Sequence, residues 1–333
     1  MFKNNSHHKS TTRISAMLLS VLIATVSAFT FTACNEVTDV SGSQSGGEII
    51  EFTDSTGRLV TLDKAPGRVA VLFASFAEIW KLAGGEVAVT VGDSVERGFA
   101  GEDAVLVDQG AGMNINTELL AAAAPDFVIA SADTAAQVNA CEVMRAAGVP
   151  CALLSVETFE QYLQTLKIFT DITGNKDAYR QYGTDVSERV SSVLSRCEES
   201  AEEANVLFVR GGTSDSSTKA KTARDHFVGV MLEQLGAHNI ADDATALSQG
   251  LSLEHVLICQ PDVILIVTHG NEQAATEHMN ELLTQSGWRD LEAVKSGRVY
   301  FLDRELFHYK PNARWDEAYS VLASLLYPEG END

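Results

Sequence analysis

Basic residues are scarce in this 333-residue chain: 24 Lys and Arg stand against 46 Asp and Glu, for a formal net charge of −22. That balance excludes an electrostatic grip on nucleic acid or on anionic lipid, both of which need a positive footprint. The motifs that announce many enzymes are also missing. There is no Gly-x-Ser-x-Gly elbow, no P-loop and no Gly-x-Gly-x-x-Gly after a strand, and Arg210-Gly-Gly-Thr213 is too short to count. The eight histidines are scattered, without His-x-His or His-Glu-x-x-His pairs, and the five cysteines lack Cys-x-x-Cys spacing. A resident metal site is therefore not expected, and neither is catalysis. Cys141 and Cys151 flank one helix-to-strand turn and read as small buried hydrophobes.

What is present begins with a leader. Lys3, Lys9 and Arg13 form a basic segment, Ile14 to Phe31 is uncharged and mostly apolar, and Thr32-Ala33-Cys34 follows. This is the pattern of an export signal spanning residues 1–33. Small residues before a cysteine resemble a bacterial lipobox, in which Cys34 is acylated and becomes the new N-terminus; Phe31 departs from the usual Leu. Residues 34–48, rich in Ser, Gly, Gln and acids, read as a flexible tether. The expected location is the extracytoplasmic face of the cell membrane, held there by lipid, because two or more acyl chains anchor stably where one does not.

The remaining chain contains a repeat. Residues 115–131 carry Glu118, Pro125 and Asp126, and residues 251–267 carry Glu254, Pro261 and Asp262, in the same register about 136 positions apart. In each, a Glu opens a short apolar helix, Pro-Asp stops it, and β-formers follow. Two similar α/β lobes are implied.

A hairpin is expected around Gly57, between residues 49–54 and 58–62. Buried parallel strands are expected at 69–73, 87–91, 105–107, 127–130 and 149–154, alternating with helices at 76–83, 119–124 and 134–147. Residues 159–172 are amphipathic, and 175–199 read as one long helix of roughly 37 Å. The second lobe repeats the alternation, with strands at 206–209, 263–267 and 298–302 and helices at 227–235, 254–258, 279–286 and 312–327. The expected organisation is an N-terminal lobe at 49–155, a helical connection at 156–200 and a C-terminal lobe at 201–333.

These segments together resemble the class III substrate-binding proteins of ABC importers, which handle iron siderophores, haem and cobalamin. The resemblance rests on Asp54-Ser-Thr-Gly57-Arg58, Arg68-Val-Ala-Val71, Leu82-Ala-Gly84, both Glu-to-Pro-Asp segments, Gly148-Val-Pro150, Leu235-Gly-Ala-His-Asn239 and Gly297-Arg-Val-Tyr-Phe301. It covers residues 50–328. It implies an α/β fold of two Rossmann-like lobes with mostly parallel sheets, joined by one long helix, with a ligand held in the cleft between them. It also implies a monomer that delivers its ligand to permease subunits, with Glu118 and Glu254 as the docking acids.

Ligands sit at the carboxyl ends of parallel strands. That rule places Ser75 and Phe76 from the first lobe, and Arg210, His269 and Tyr309 from the second, at the cleft, and Arg314 is added as one of the second lobe's basic residues. The basic residues of the second lobe favour an anionic ferric chelate of the siderophore type. Haem is the nearest alternative, through His269, His308 or Tyr309. Cobalamin, a bare divalent metal and a chelatase-like activity are further alternatives. The anchor has its own check. Cys34→Ala should release the protein to the soluble fraction or stop its processing, as read by membrane fractionation and apparent mass; unchanged retention at the same mass identifies an uncleaved anchor instead.

Overall fold

The computed structural model describes residues 49–198, 203–243 and 251–328. The leader, Cys34 and the tether lie outside them. The first described elements are strands β1 (Ile50–Thr53) and β2 (Leu59–Leu62), paired antiparallel with Ile50 opposite Leu62. Asp54 governs their turn: Oδ1 accepts from the Thr56 and Arg58 amides, and Gly57 supplies the left-handed residue at φ 81°. Its other oxygen accepts from the Leu153 amide and from Arg145. One buried carboxylate thus closes the hairpin and fastens it to the N-terminal sheet.

That sheet contains β3 (Val69–Val71), β4 (Val89–Val91), β5 (Val105–Asp108), β6 (Phe127–Ser131) and β7 (Cys151–Leu154), parallel in the order β5-β4-β3-β6-β7. Every residue of β3, β4, β6 and β7 is buried, as unbroken apolar strands covered on both faces must be. Helices α1 (Ala74–Leu82), α2 (Gly92–Glu96), α3 (Thr117–Ala122) and α4 (Ala135–Ala146) supply the connections. The second sheet has β8 (Asn205–Gly211), β9 (Lys219–Ala220), β10 (His238–Asn239), β11 (Val263–Thr268) and β12 (Val299–Phe301). Its parallel order is β10-β8-β11-β12, with β9 antiparallel on β8. Its helices are α8 (Phe227–Gln234), α9 (Leu253–Cys259), α10 (Glu272–Thr284), α11 (Glu292–Lys295), α12 (Arg304–Phe307) and α13 (Trp315–Leu326).

Between the sheets run α5 (Phe159–Thr173), α6 (Lys176–Tyr179) and α7 (Asp185–Glu198). A capping box of Thr158 and Gln161 opens α5, and Gly174, left-handed at φ 73°, ends it. Residues 176–198 are helical throughout, but not uniformly α as expected: Arg180–Thr184 form a π turn. The Tyr182 carbonyl there accepts the Tyr162 hydroxyl at 2.9 Å. Among the described residues no helix is long and apolar enough to cross a membrane. A single apolar cluster runs from Phe127 in the first sheet, through Phe169 and Val190 of the connection, to Phe208 in the second. Trp315 sits within it, fully buried, with the Phe159 and Phe227 rings at 5.9 and 5.7 Å.

The repeat seen in the sequence has one mechanical meaning in both lobes. Helices α3 and α9 end through left-handed residues, Ala124 at φ 48° and Gln260 at φ 46°. Each is followed by Pro-Asp. Asp126 accepts from the Gly67 and Arg68 amides at 2.7 and 2.8 Å, and Asp262 accepts from the Asn205 amide at 2.9 Å. Each carboxylate therefore pins the entrance of the neighbouring strand, β3 or β8. Both helices finish at the amino ends of the strands, so both must start at the carboxyl ends.

The expected Met279–Ser286 helix begins earlier, at Glu272, because Asn271 accepts the Ala274 amide and caps it there. The clamp is testable. Asp126→Ala leaves two strand amides to water and should lower stability by about 1–2 kcal/mol in denaturant unfolding. Asp262→Ala, which loses one such bond, should cost about 1 kcal/mol. No loss in either variant would mean that the strand entrances are set without the carboxylates.

Candidate binding cleft

The carboxyl ends of the two sheets face each other, and charged side chains of both signs gather there. From the first lobe, α2 leads directly into Arg97. Its guanidinium lies 3.9 Å from the Tyr309 ring centroid and 4.7 Å from that of Phe99, and Nη2 is 3.3 Å from Glu305 Oε2. Arg97 thus crosses from one lobe to the other, and its Nε is buried without an acceptor. From the second lobe, β8 delivers Arg210, half-buried and without a side-chain hydrogen bond or ion pair among the described residues. After β12 come Arg304, His308, Tyr309 and Lys310. Lys310 reaches Glu157 at 2.6 Å and lies 4.6 Å above the Phe227 ring.

Glu78, Glu96, Arg97, Phe99, Glu305, Lys310, Pro311 and Arg314 line an inter-lobe cavity of about 450 Å³, where three carboxylates stand beside three cations. A second cavity of about 430 Å³, beside Asp126 and Pro150, lies at the amino ends of the strands. The rule for ligands in parallel sheets favours the first.

The titratable groups report a positive local potential. Burial pushes His308 down to about 4, and Arg210, Arg304, His269 and Arg97 add to the shift. His226 is held well below its usual range by burial, then by Lys310, Arg210, Lys221 and His308. Burial first, and the neighbouring cations second, disfavour the protonated form of both imidazoles. Burial also lowers Lys310, against the pull of Glu157, and raises Glu78. Several cations of an otherwise strongly acidic chain therefore lie where water is partly excluded, beside Glu78, Glu96, Glu157 and Glu305.

The structure separates the residues expected at the cleft. Arg210, His308 and Tyr309 lie beside the cavity rather than in its lining: Arg97 covers the Tyr309 ring, and Arg97 and Arg210 both act on His308. Phe76 is not: it is 2% exposed and packs in the core against Phe73 at 5.4 Å. Ser75 is buried and lies 3.3 Å from Asn312, a lobe-to-lobe contact rather than a ligand contact. Arg314 lines the cavity, but its guanidinium is paired twice with Glu317 at 2.7 Å. His269 is half-buried, and its Nε2 is 3.0 Å from the Ser217 carbonyl. His226 caps α8, accepting the Val228 amide at Nδ1.

Glu78 lines the same inter-lobe cavity, where Oε2 accepts from Asn312 Nδ2 at 2.6 Å. Sequence reasoning missed Arg97, which follows a helix of only five residues. No group of three or more His, Cys, Asp or Glu among the described residues is placed to hold a metal ion. Glu118 and Glu254 are exposed, each the second residue of its short helix, and neither forms an ion pair among the described residues.

Comparison with known proteins gives a consistent frame. Residues 69–306 match the model of a family described as periplasmic binding protein. An uncharacterized ABC transporter substrate-binding lipoprotein of Bacillus subtilis (strain 168), YvrC, is 24% identical over 286 residues, covering 84% of this chain and 86% of the relative. The periplasmic heme-binding protein RhuT from Roseiflexus sp. RS-1, in apo form, superposes with a TM-score of 0.64 at 20% identity, over 78% of this chain and 98% of that one. The siderophore-binding protein BauB, bound to two molecules of acinetobactin and ferric iron, has a TM-score of 0.66 at 18% identity, over 85% of this chain and 100% of its own. At such identities the structural likeness is one of fold.

The shielded imidazoles set a pH dependence. Between pH 6.5 and about 4 the unfolded chain takes up protons at His308 that the folded chain refuses. This contribution is complete above pH 6.5 and disappears as pH falls through about 4. His308→Gln should therefore flatten the fall of Tm across that window relative to the parent protein. An identical slope in thermal scans would show that the imidazole is not shielded.

Proposed function

Because this chain belongs to the periplasmic binding protein family, we propose that it is the extracytoplasmic substrate-binding lipoprotein of an ABC importer and that its cleft captures an anionic ferric chelate of the siderophore type. The observation that carries this reading is that Arg97 and Lys310 line one inter-lobe cavity at the carboxyl ends of the sheets, with Arg210 near the end of β8. Arg97 is stacked between two aromatic rings and tied only to an exposed acid, so it is oriented before a ligand arrives. A carboxylate or catecholate oxygen takes the place of Glu305 and satisfies the buried Nε. The role is capture and delivery without turnover. Cys34, outside the described residues, supplies the lipid anchor, in keeping with a relative described as a lipoprotein. Glu118 and Glu254 meet the permease, one from each lobe.

Haem fits less well: its macrocycle needs a broad apolar wall, whereas the cavity lining is largely charged and the Tyr309 face is covered by Arg97. Cobalamin has no exposed indole to stack on, since Trp80, Trp288 and Trp315 are all buried.

Fluorescence titration with ferric complexes of a catecholate, a hydroxamate and citrate, with haemin and cyanocobalamin as rivals, tests the reading. A ferric chelate should bind at micromolar Kd or tighter. Arg97→Ala and Arg210→Ala should each weaken it about 10- to 100-fold, the loss of one charge-assisted contact. Glu305→Gln should tighten binding, since it removes the internal competitor for Arg97. Tight binding of cyanocobalamin alone, undiminished in both arginine variants, would sink the ligand class and the residues together.

A further inference from the structure

Among the described residues eight large hydrophobic side chains are exposed, and four of them, Met113, Leu119, Leu257 and Ile258, stand within five positions of Glu118 or Glu254. The clustering is most pronounced in the C-terminal lobe. Leu257 and Ile258 lie three and four positions after Glu254 and so share its face of α9, while Val256 turns inward and is fully buried. Ile258 is 72% exposed. At the matching positions of α3 stand Ala121 and Ala122, so the first lobe is flat beside its acid, with Leu119 at 48% and Met113 at 63% exposure to one side.

Resting on the importer reading above, we infer that the two faces form a mixed docking surface for the importer's membrane subunit, in which Leu257 and Ile258 are the apolar anchor of the C-terminal lobe. The partner surface carries a basic side chain opposite each glutamate and an apolar depression opposite Leu257 and Ile258. Charge argues for this occupant over two others. A second copy of a chain with net charge −22 would set glutamate against glutamate, and an anionic lipid surface would repel both acids. Exposed ion pairs chiefly steer and select, whereas burial of aliphatic surface contributes affinity, so the acids alone make an incomplete interface. The unequal faces also give docking a direction: exchanging the lobes would leave the anchor opposite a site shaped for alanines.

A native probe stands beside the anchor. Cys259 is exposed, whereas Cys141 and Cys151 are buried. The mature lipoprotein is added to the permease–ATPase complex of the same cell, reconstituted in nanodiscs, and both docking affinity and the rate of Cys259 alkylation by N-ethylmaleimide are measured. Docking should slow the alkylation. Leu257→Ser combined with Ile258→Ser should weaken docking at least tenfold while keeping the parent Tm, and Val143→Ser, an exposed aliphatic on α4, should leave it unchanged. Unchanged docking in the double variant, with Glu254→Lys still disruptive, would show that the acid acts alone and would overturn the anchor. Unslowed alkylation in a docked complex would place the interface elsewhere. Failure of the parent protein to dock or to stimulate the ATPase would overturn the importer reading itself.

Discussion

Each lobe is aligned by an aspartate that accepts strand amides immediately after a proline. In the first lobe Asp126 holds the entrance of β3 beside β6, and in the second Asp262 holds that of β8 beside β11. Proline ends the helix, and the residue ahead of it turns the chain through a left-handed conformation. The carboxylate then satisfies amides at a strand start that has no other partner to offer. With the central pair of strands in register, the carboxyl ends of each sheet come level. That is the condition for Arg97, Arg210 and Lys310 to lie at the same rim. The same corner sends α3 and α9 back from that rim, which is why Glu118 and Glu254 stand at the openings of both helices.

The cluster of cations is maintained against its own repulsion. Arg210 has no anionic partner among the described residues, and burial already disfavours its charge. Lys310 is steadied by Glu157 and by the Phe227 ring, Arg304 by the Gly270 carbonyl at 3.1 Å, and Arg97 by Glu305 and two aromatic faces. His226 and His308, both held below their usual range chiefly by burial, add little charge of their own.

Much of this was legible in the residues. The apolar runs of β3, β6, β8 and β11 and the Pro-Asp corners are local signals, written over a few positions each. The strand beside Arg210 was legible, but it runs on to Gly211 rather than ending at residue 209, so Arg210 belongs to β8 itself. Phe76 was misplaced because the helix starts at Ala74; Phe76, Ile79 and Trp80 then form one inward stripe at helical spacing. Arg97 was hidden for a different reason. Gly92-Asp-Ser-Val-Glu-Arg97 reads as a polar turn, and nothing local says that its last side chain crosses to a tyrosine more than 200 positions away. Strands β9 and β10, two residues each, carry no periodicity and exist only because β8 offers an open edge.

The links between the lobes are graded by exposure, and the gradient decides how the cleft can respond. At its floor Asn312, fully buried and left-handed at φ 49°, donates to Glu78 and lies beside Ser75. Breaking that contact strands a buried amide and a buried carboxyl, each of which costs a desolvation penalty. Behind it lies the apolar cluster shared by both sheets, which a wide opening would expose. At the rim Glu305 is 57% exposed, so releasing Arg97 returns that carboxylate to water at little cost. The arrangement therefore favours a small rim movement over a large rotation of the lobes. A ligand that supplies a better partner for Arg97 competes only with the weakest link, and the binding free energy it brings is not consumed in separating the domains.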